Sequence, residues 1–89
     1  MVNYLMSEIN ITLKLYSAIE KELKIHDYDP DNGVIITIRP GTSLRKILRQ
    51  TGFKKLSRYV FFSGGHHVSV WKRFKEDAEV SCLKVSGGG

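Results

Sequence analysis

The sequence predicts an α+β fold in which a mixed sheet packs on one main helix. Three features predict it. Apolar residues alternate strictly from Ile9 to Leu15, a β-branched run fills Val34–Ile38, and Leu44, Ile47 and Leu48 follow at helical spacing after a Thr/Ser pair.

In the first segment Ile9, Ile11, Leu13 and Leu15 fall on one side and Asn10, Thr12, Lys14 and Tyr16 on the other, the pattern of a half-buried strand. Ile19 and Leu23, four apart, predict a helical turn or two within Ser17–Leu23. Turn formers at 29–33 (Asp-Pro-Asp-Asn-Gly) precede the second strand, and Pro40 and Gly41 stop it. Thr42 or Ser43 can then cap a helix that buries Leu44, Ile47 and Leu48 and turns Arg45, Lys46 and Arg49 to water, with Gly52 just past its end. Tyr59–Phe62 and His67–Val70 read as two short strands joined by a tight turn at Ser63, Gly64 and Gly65. Trp71, with Phe74 three residues on, is expected to close the core beneath the final turn. Glu76–Glu79 leads into a last strand, Val80–Val85.

A right-handed crossover of the helix returns the late strands to the first sheet and covers the helix's apolar side. The result is a β-grasp type of arrangement, with residues 1–85 as the domain and residues 86–89, Ser-Gly-Gly-Gly, as a flexible tail.

Eighty-nine residues suit one domain that buries somewhat more than ~60% of its unfolded surface, too little for a deep internal active site. No apolar run approaches the ~18 residues a membrane span needs, and Met1–Met6 lacks the basic start and apolar core of a secretory signal. The expectation is a soluble, cytoplasmic protein. Cys82 is the single cysteine, so neither an internal disulfide nor a four-ligand zinc site is expected. At an alternate strand position it reads as a small core residue. His66 and His67 are adjacent and face opposite ways on a strand, which suits surface histidines better than metal ligands. No Gly-x-Gly-x-x-Gly or Gly-Lys-Ser/Thr phosphate loop is present.

Charge is unevenly spread. Asn32 to Lys75 contains no carboxylate but ten cations, whereas all nine carboxylates lie at Glu8–Asp31 or Glu76–Glu79. A solvated basic face is the plain account, and a surface for nucleic acid or an acidic protein is the functional one.

Pro40–Leu44 (Pro-Gly-Thr-Ser-Leu), Ser63–Val68 (Ser-Gly-Gly-His-His-Val), Glu76–Val80 (Glu-Asp-Ala-Glu-Val) and Ser86–Gly89, in this order and spacing, resemble the MoaD/ThiS family of ubiquitin-like sulfur carriers. The resemblance runs from Ile9 to Gly89. It departs at Gly64 and Gly65, where Asn-Gly is usual, and at Lys84 and Val85, where Pro-Pro is common. It departs also at Asp77, which replaces a turn glycine and is expected to tolerate the left-handed region.

The resemblance implies a protein substrate rather than an enzyme, with no cofactor bound. Gly89, preceded by Gly88, would be adenylated by a ubiquitin-activating-like enzyme that uses ATP, and a sulfur donor would convert it to a thiocarboxylate. Side-chain-free glycines pass through a narrow channel, and residues 86–89 extended at ~3.3 Å each reach ~13 Å. Molybdopterin synthesis, with a molybdopterin-synthase large subunit as partner, is the implied pathway; the alternatives are thiamine synthesis, tRNA thiolation and ubiquitin-like protein modification.

The resemblance also implies docking through the sheet face that does not cover the helix. Strand parity points Tyr16 and Leu83 outward there, as an apolar patch bordered by Lys14, Arg39 and Lys84 and continued by Ser86 and Gly87. The rival class is a small basic nucleic-acid module, since Arg45, Lys46, Arg49, Lys54, Lys55 and Arg58 cluster at the helix and its exit. Against it, Phe53 and Tyr59, the aromatics among those cations, alternate as core.

Overall fold

The computed structural model describes residues 7–85. β1 (Ile9–Leu15) is followed by a four-residue helix α1 (Ile19–Glu22), β2 (Val34–Ile38), a short β3 (Thr42–Ser43) and the main helix α2 (Leu44–Thr51). A 3-10 turn at Leu56–Arg58 leads into β4 (Tyr59–Ser63), β5 (His66–His67), β6 (Arg73–Phe74) and β7 (Ala78–Lys84). Five strands form one sheet in the order β2-β1-β7-β4-β5, and β3 pairs with β6 apart from it. The sheet is mixed, because β1 and β7 run parallel at its centre while β1–β2, β4–β7 and β4–β5 are antiparallel. This α+β arrangement is consistent with the β-grasp-like order expected from sequence. Among the described residues no helix is long and apolar enough to cross a membrane.

Alternation decides which face is buried. Ile9, Ile11, Leu13 and Leu15 of β1 and Val80 and Cys82 of β7 point into the core, where they meet Leu44, Ile47 and Leu48 of α2. Burying each such side chain stabilises the fold by about 1.5–3 kcal/mol relative to leaving it exposed. Phe53 fills the end of this core, with its ring 5.0 Å from that of Tyr59 and 6.0 Å from that of Phe61, both edge-on. Ile19 anchors α1 to the same core.

The predicted caps form. The Ser43 hydroxyl accepts from the Lys46 N–H at 3.3 Å, and Gly52, at φ 116°, ends α2 with its N–H on the Leu48 and Arg49 carbonyls. The turn between β4 and β5 has Gly64 and Gly65 at φ 61° and 81°, the left-handed pair that a two-residue hairpin turn requires.

Several expectations are corrected. The second strand of that hairpin is His66–His67 rather than His67–Val70. Beyond Val68 the chain leaves the sheet, because the carbonyls of Val70 and Lys72 accept from the Arg45 and Leu44 N–H groups at 2.7 and 2.8 Å. The orphan donors of the helix N-terminus thus claim this segment. Trp71 does not close the core: it is 68% exposed, and Phe74 alone of the pair is buried. Asp77 is not in the left-handed region, which the non-glycine residues Ser17, Ala18 and Lys24 occupy instead. Its carboxylate accepts from the Asn10 N–H at 2.8 Å and so joins the start of β1 to the turn before β7.

Candidate docking face and chain exit

The outer face of the sheet carries the candidate site. The β1–β7 register pairs Leu15 with Cys82, and one residue further the Tyr16 N–H donates to the Cys82 carbonyl at 3.0 Å, which sets Tyr16 beside Leu83. Across β7, Val60 pairs with Leu83 and Phe62 with Ser81. Tyr16, Phe62, Ala78, Ser81 and Leu83 therefore line one open groove, with Glu79 as its carboxylate. Tyr16 is 49% exposed. The pairing of Tyr16 with Leu83 expected from parity is present.

Phe62 belongs to the same surface and was missed. Its signal was available, since Phe61 is buried and a strand must then turn Phe62 outward. The His67 ring stands edge-on to it at 5.6 Å.

The expected border of cations is not there. Lys14 is drawn toward the turn before β2, where its ammonium donates to the Asp31 carbonyl at 2.7 Å and the Pro30 carbonyl at 3.1 Å. Arg39 follows Ile38, which pairs with Ile9, so it sits some eight residues, or ~26 Å at ~3.3 Å each, from Tyr16 along the strand. Lys84 shares the parity of Val80 and Cys82, so it lies on the helix side of the sheet and pairs with Glu22 of α1.

Around that ion pair a second cluster forms. The Tyr59 hydroxyl donates to the Glu22 carboxylate at 2.6 Å. Lys84 first, then Tyr59, holds the Glu22 carboxyl below its ordinary value. Partial burial and, after it, the bond to Glu22 push the Tyr59 phenol up to about 12. The Val85 N–H donates to the Arg58 carbonyl at 2.9 Å and ties the chain after β7 to the 3-10 turn before β4.

Ser86, Gly87, Gly88 and Gly89, the expected reactive tail, lie outside the described residues. Cys82 offers no alternative nucleophile: it is fully buried, and burial pushes its thiol up to about 12. Neither a scan of protein-family models nor a search of curated proteins finds a match to this chain.

Proposed function

We propose that the chain is a ubiquitin-like sulfur carrier whose Gly89 carboxylate is the group that is activated. The observation that carries this proposal is that β7 leads the chain past the groove it helps to line. Val85 is pinned by Arg58 just past the central strand, two residues beyond the half-buried Leu83 in the open Tyr16–Phe62–Leu83 groove. A partner seated on that groove would receive whatever follows Val85.

In this scheme the Gly89 carboxylate attacks the α-phosphate of ATP on the partner enzyme and releases pyrophosphate. A sulfide equivalent from a donor then displaces AMP from the acyl-adenylate, leaving the thiocarboxylate. The domain supplies docking and reach, and the partner supplies the chemistry. A molybdopterin precursor is the proposed acceptor, after the sequence resemblance.

The test is intact-mass measurement after incubation with an adenylating enzyme, ATP and sulfide. The expected result is an oxygen-to-sulfur exchange at a free Gly89 carboxylate, absent when Gly88 and Gly89 are deleted. Sulfur incorporation into the deleted protein would overturn the proposal.

A further inference from the structure

Among the described residues Trp71 is the most exposed of the large apolar side chains, yet it sits on a segment held from both sides. Its own N–H donates to the Ser69 hydroxyl at 3.0 Å, and the Lys72 N–H donates to the Ser69 carbonyl at 3.0 Å. The flanking carbonyls of Val70 and Lys72 take the first N–H groups of α2. The indole is therefore displayed at a fixed position. The Arg45 guanidinium lies 5.5 Å from the centre of its ring, and at 68% exposure most of the rest is bare.

The surroundings are cationic and unneutralised. Arg49 follows Arg45 by one turn on the same side of α2, and Lys72 is adjacent to Trp71. Among the described residues the one ion pair is Lys84–Glu22, so Arg45, Arg49 and Lys72 have no carboxylate partner. Because the Leu44, Arg45 and Lys46 N–H groups are already bonded, an anion here must be met by side chains.

From this geometry we propose that Trp71 and Arg45 form a stacking platform for single-stranded nucleic acid, with Arg45, Arg49 and Lys72 meeting its phosphates. An acidic protein surface would need the cations alone. A bare indole beside a guanidinium also offers a plane for an unpaired base, and every base has such a plane. Bases in a duplex are stacked within it and cannot reach the indole. The site is thus selective for single strands and indifferent to sequence. It lies on α2 and the segment before β6, apart from the Tyr16–Leu83 groove.

Trp71 is the chain's single tryptophan, so its fluorescence reports on this contact. The protein is titrated with an oligothymidylate of about 12 nucleotides, a duplex of equal length and polyglutamate, each at several salt concentrations. The expected result is quenching by the single strand, with affinity falling as salt rises. In anisotropy with a labelled oligothymidylate, Trp71→Ala weakens binding about tenfold without lowering the thermal midpoint, and Trp71→Phe keeps most of the affinity. Arg45→Gln weakens binding and flattens the salt dependence, whereas Leu83→Asp leaves binding unchanged. Duplex bound as tightly as single strand, polyglutamate bound with the same dependence on Trp71, or indifference to Trp71→Ala would each overturn the proposal. Loss of carrier activity in the tail-deleted protein leaves this binding intact, so the two proposals fail separately.

Discussion

The Tyr59 hydroxyl donates to Glu22 across a sequence separation of 37 residues, and that carboxylate also holds Lys84. One acidic side chain on α1 thus fastens the short helix to β4 and to the end of β7.

This cluster makes stability depend on pH at both extremes. The Glu22 carboxyl is held below its unfolded value, so its contribution is present above that value and is lost as pH falls through the folded one. The Tyr59 phenol is raised from 10.0 to about 12, so its contribution is present below pH 10 and is lost as pH rises toward 12. Thermal midpoints measured across pH should fall less at the alkaline end for Tyr59→Phe than for the wild type. At neutral pH that variant should lose about 1 kcal/mol for the missing hydrogen bond.

Neighbouring residues of β7 should respond oppositely to the same change. Leu83→Asp places a charge on the open outer groove and should leave the thermal midpoint close to that of the wild type. Val80→Asp places it in the core beside Leu13 and should prevent folding, as circular dichroism would record. If the groove docks an activating enzyme, Leu83→Asp should also weaken binding by about 2 kcal/mol, roughly thirtyfold.

Two glycines with similar backbone angles should differ in what they tolerate. Gly33 and Gly64 have φ of 71° and 61°, so alanine at either costs roughly 1–2 kcal/mol for the left-handed conformation. A Cβ at Gly64 meets open space, but at Gly33 it would stand 2.6 Å from the Leu13 carbonyl oxygen. Urea denaturation should therefore find Gly33→Ala clearly the less stable of the two.

The Cys82 thiol should be silent in the folded protein. Fully buried and raised to about 12, it is neither accessible nor ionised near pH 8. Iodoacetamide at that pH should leave it unmodified, and alkylation should appear only when denaturant unfolds the chain, as read by mass spectrometry.

Where side chains repeat with a clear period, the sequence located both the elements and their faces. The alternation in β1, the cap and apolar stripe of α2, and the inward Val80 and Cys82 all rest on several residues that agree. The two-residue strands β3 and β6 are too short for any period to register. For Trp71 a spacing of three from Phe74 suggests a shared buried face, whereas the carbonyls on either side of Trp71 are committed to α2 and the indole is exposed. Lys84 is expected at the border of the outer patch, although strict alternation from Cys82 already places it with Glu22. Arg39 could be excluded only once the β1–β2 register was known.

The parallel pairing of β1 with β7 has a consequence for the order of events during synthesis. Its two strands are the centre of the sheet, yet the Asn10–Asp77 bond at its start already spans 67 residues. While the ribosome is still adding the stretch before Ala78, the nascent chain can make the β1–β2 hairpin and the α2 turns but lacks the strand that joins the two halves. Such long-range closure slows folding, and it must wait for β7 to emerge. Chains cut short before that point would keep their apolar faces open and be available to proteases. Any molecule that reaches the compact state has therefore been translated through the strand from which the glycine segment departs.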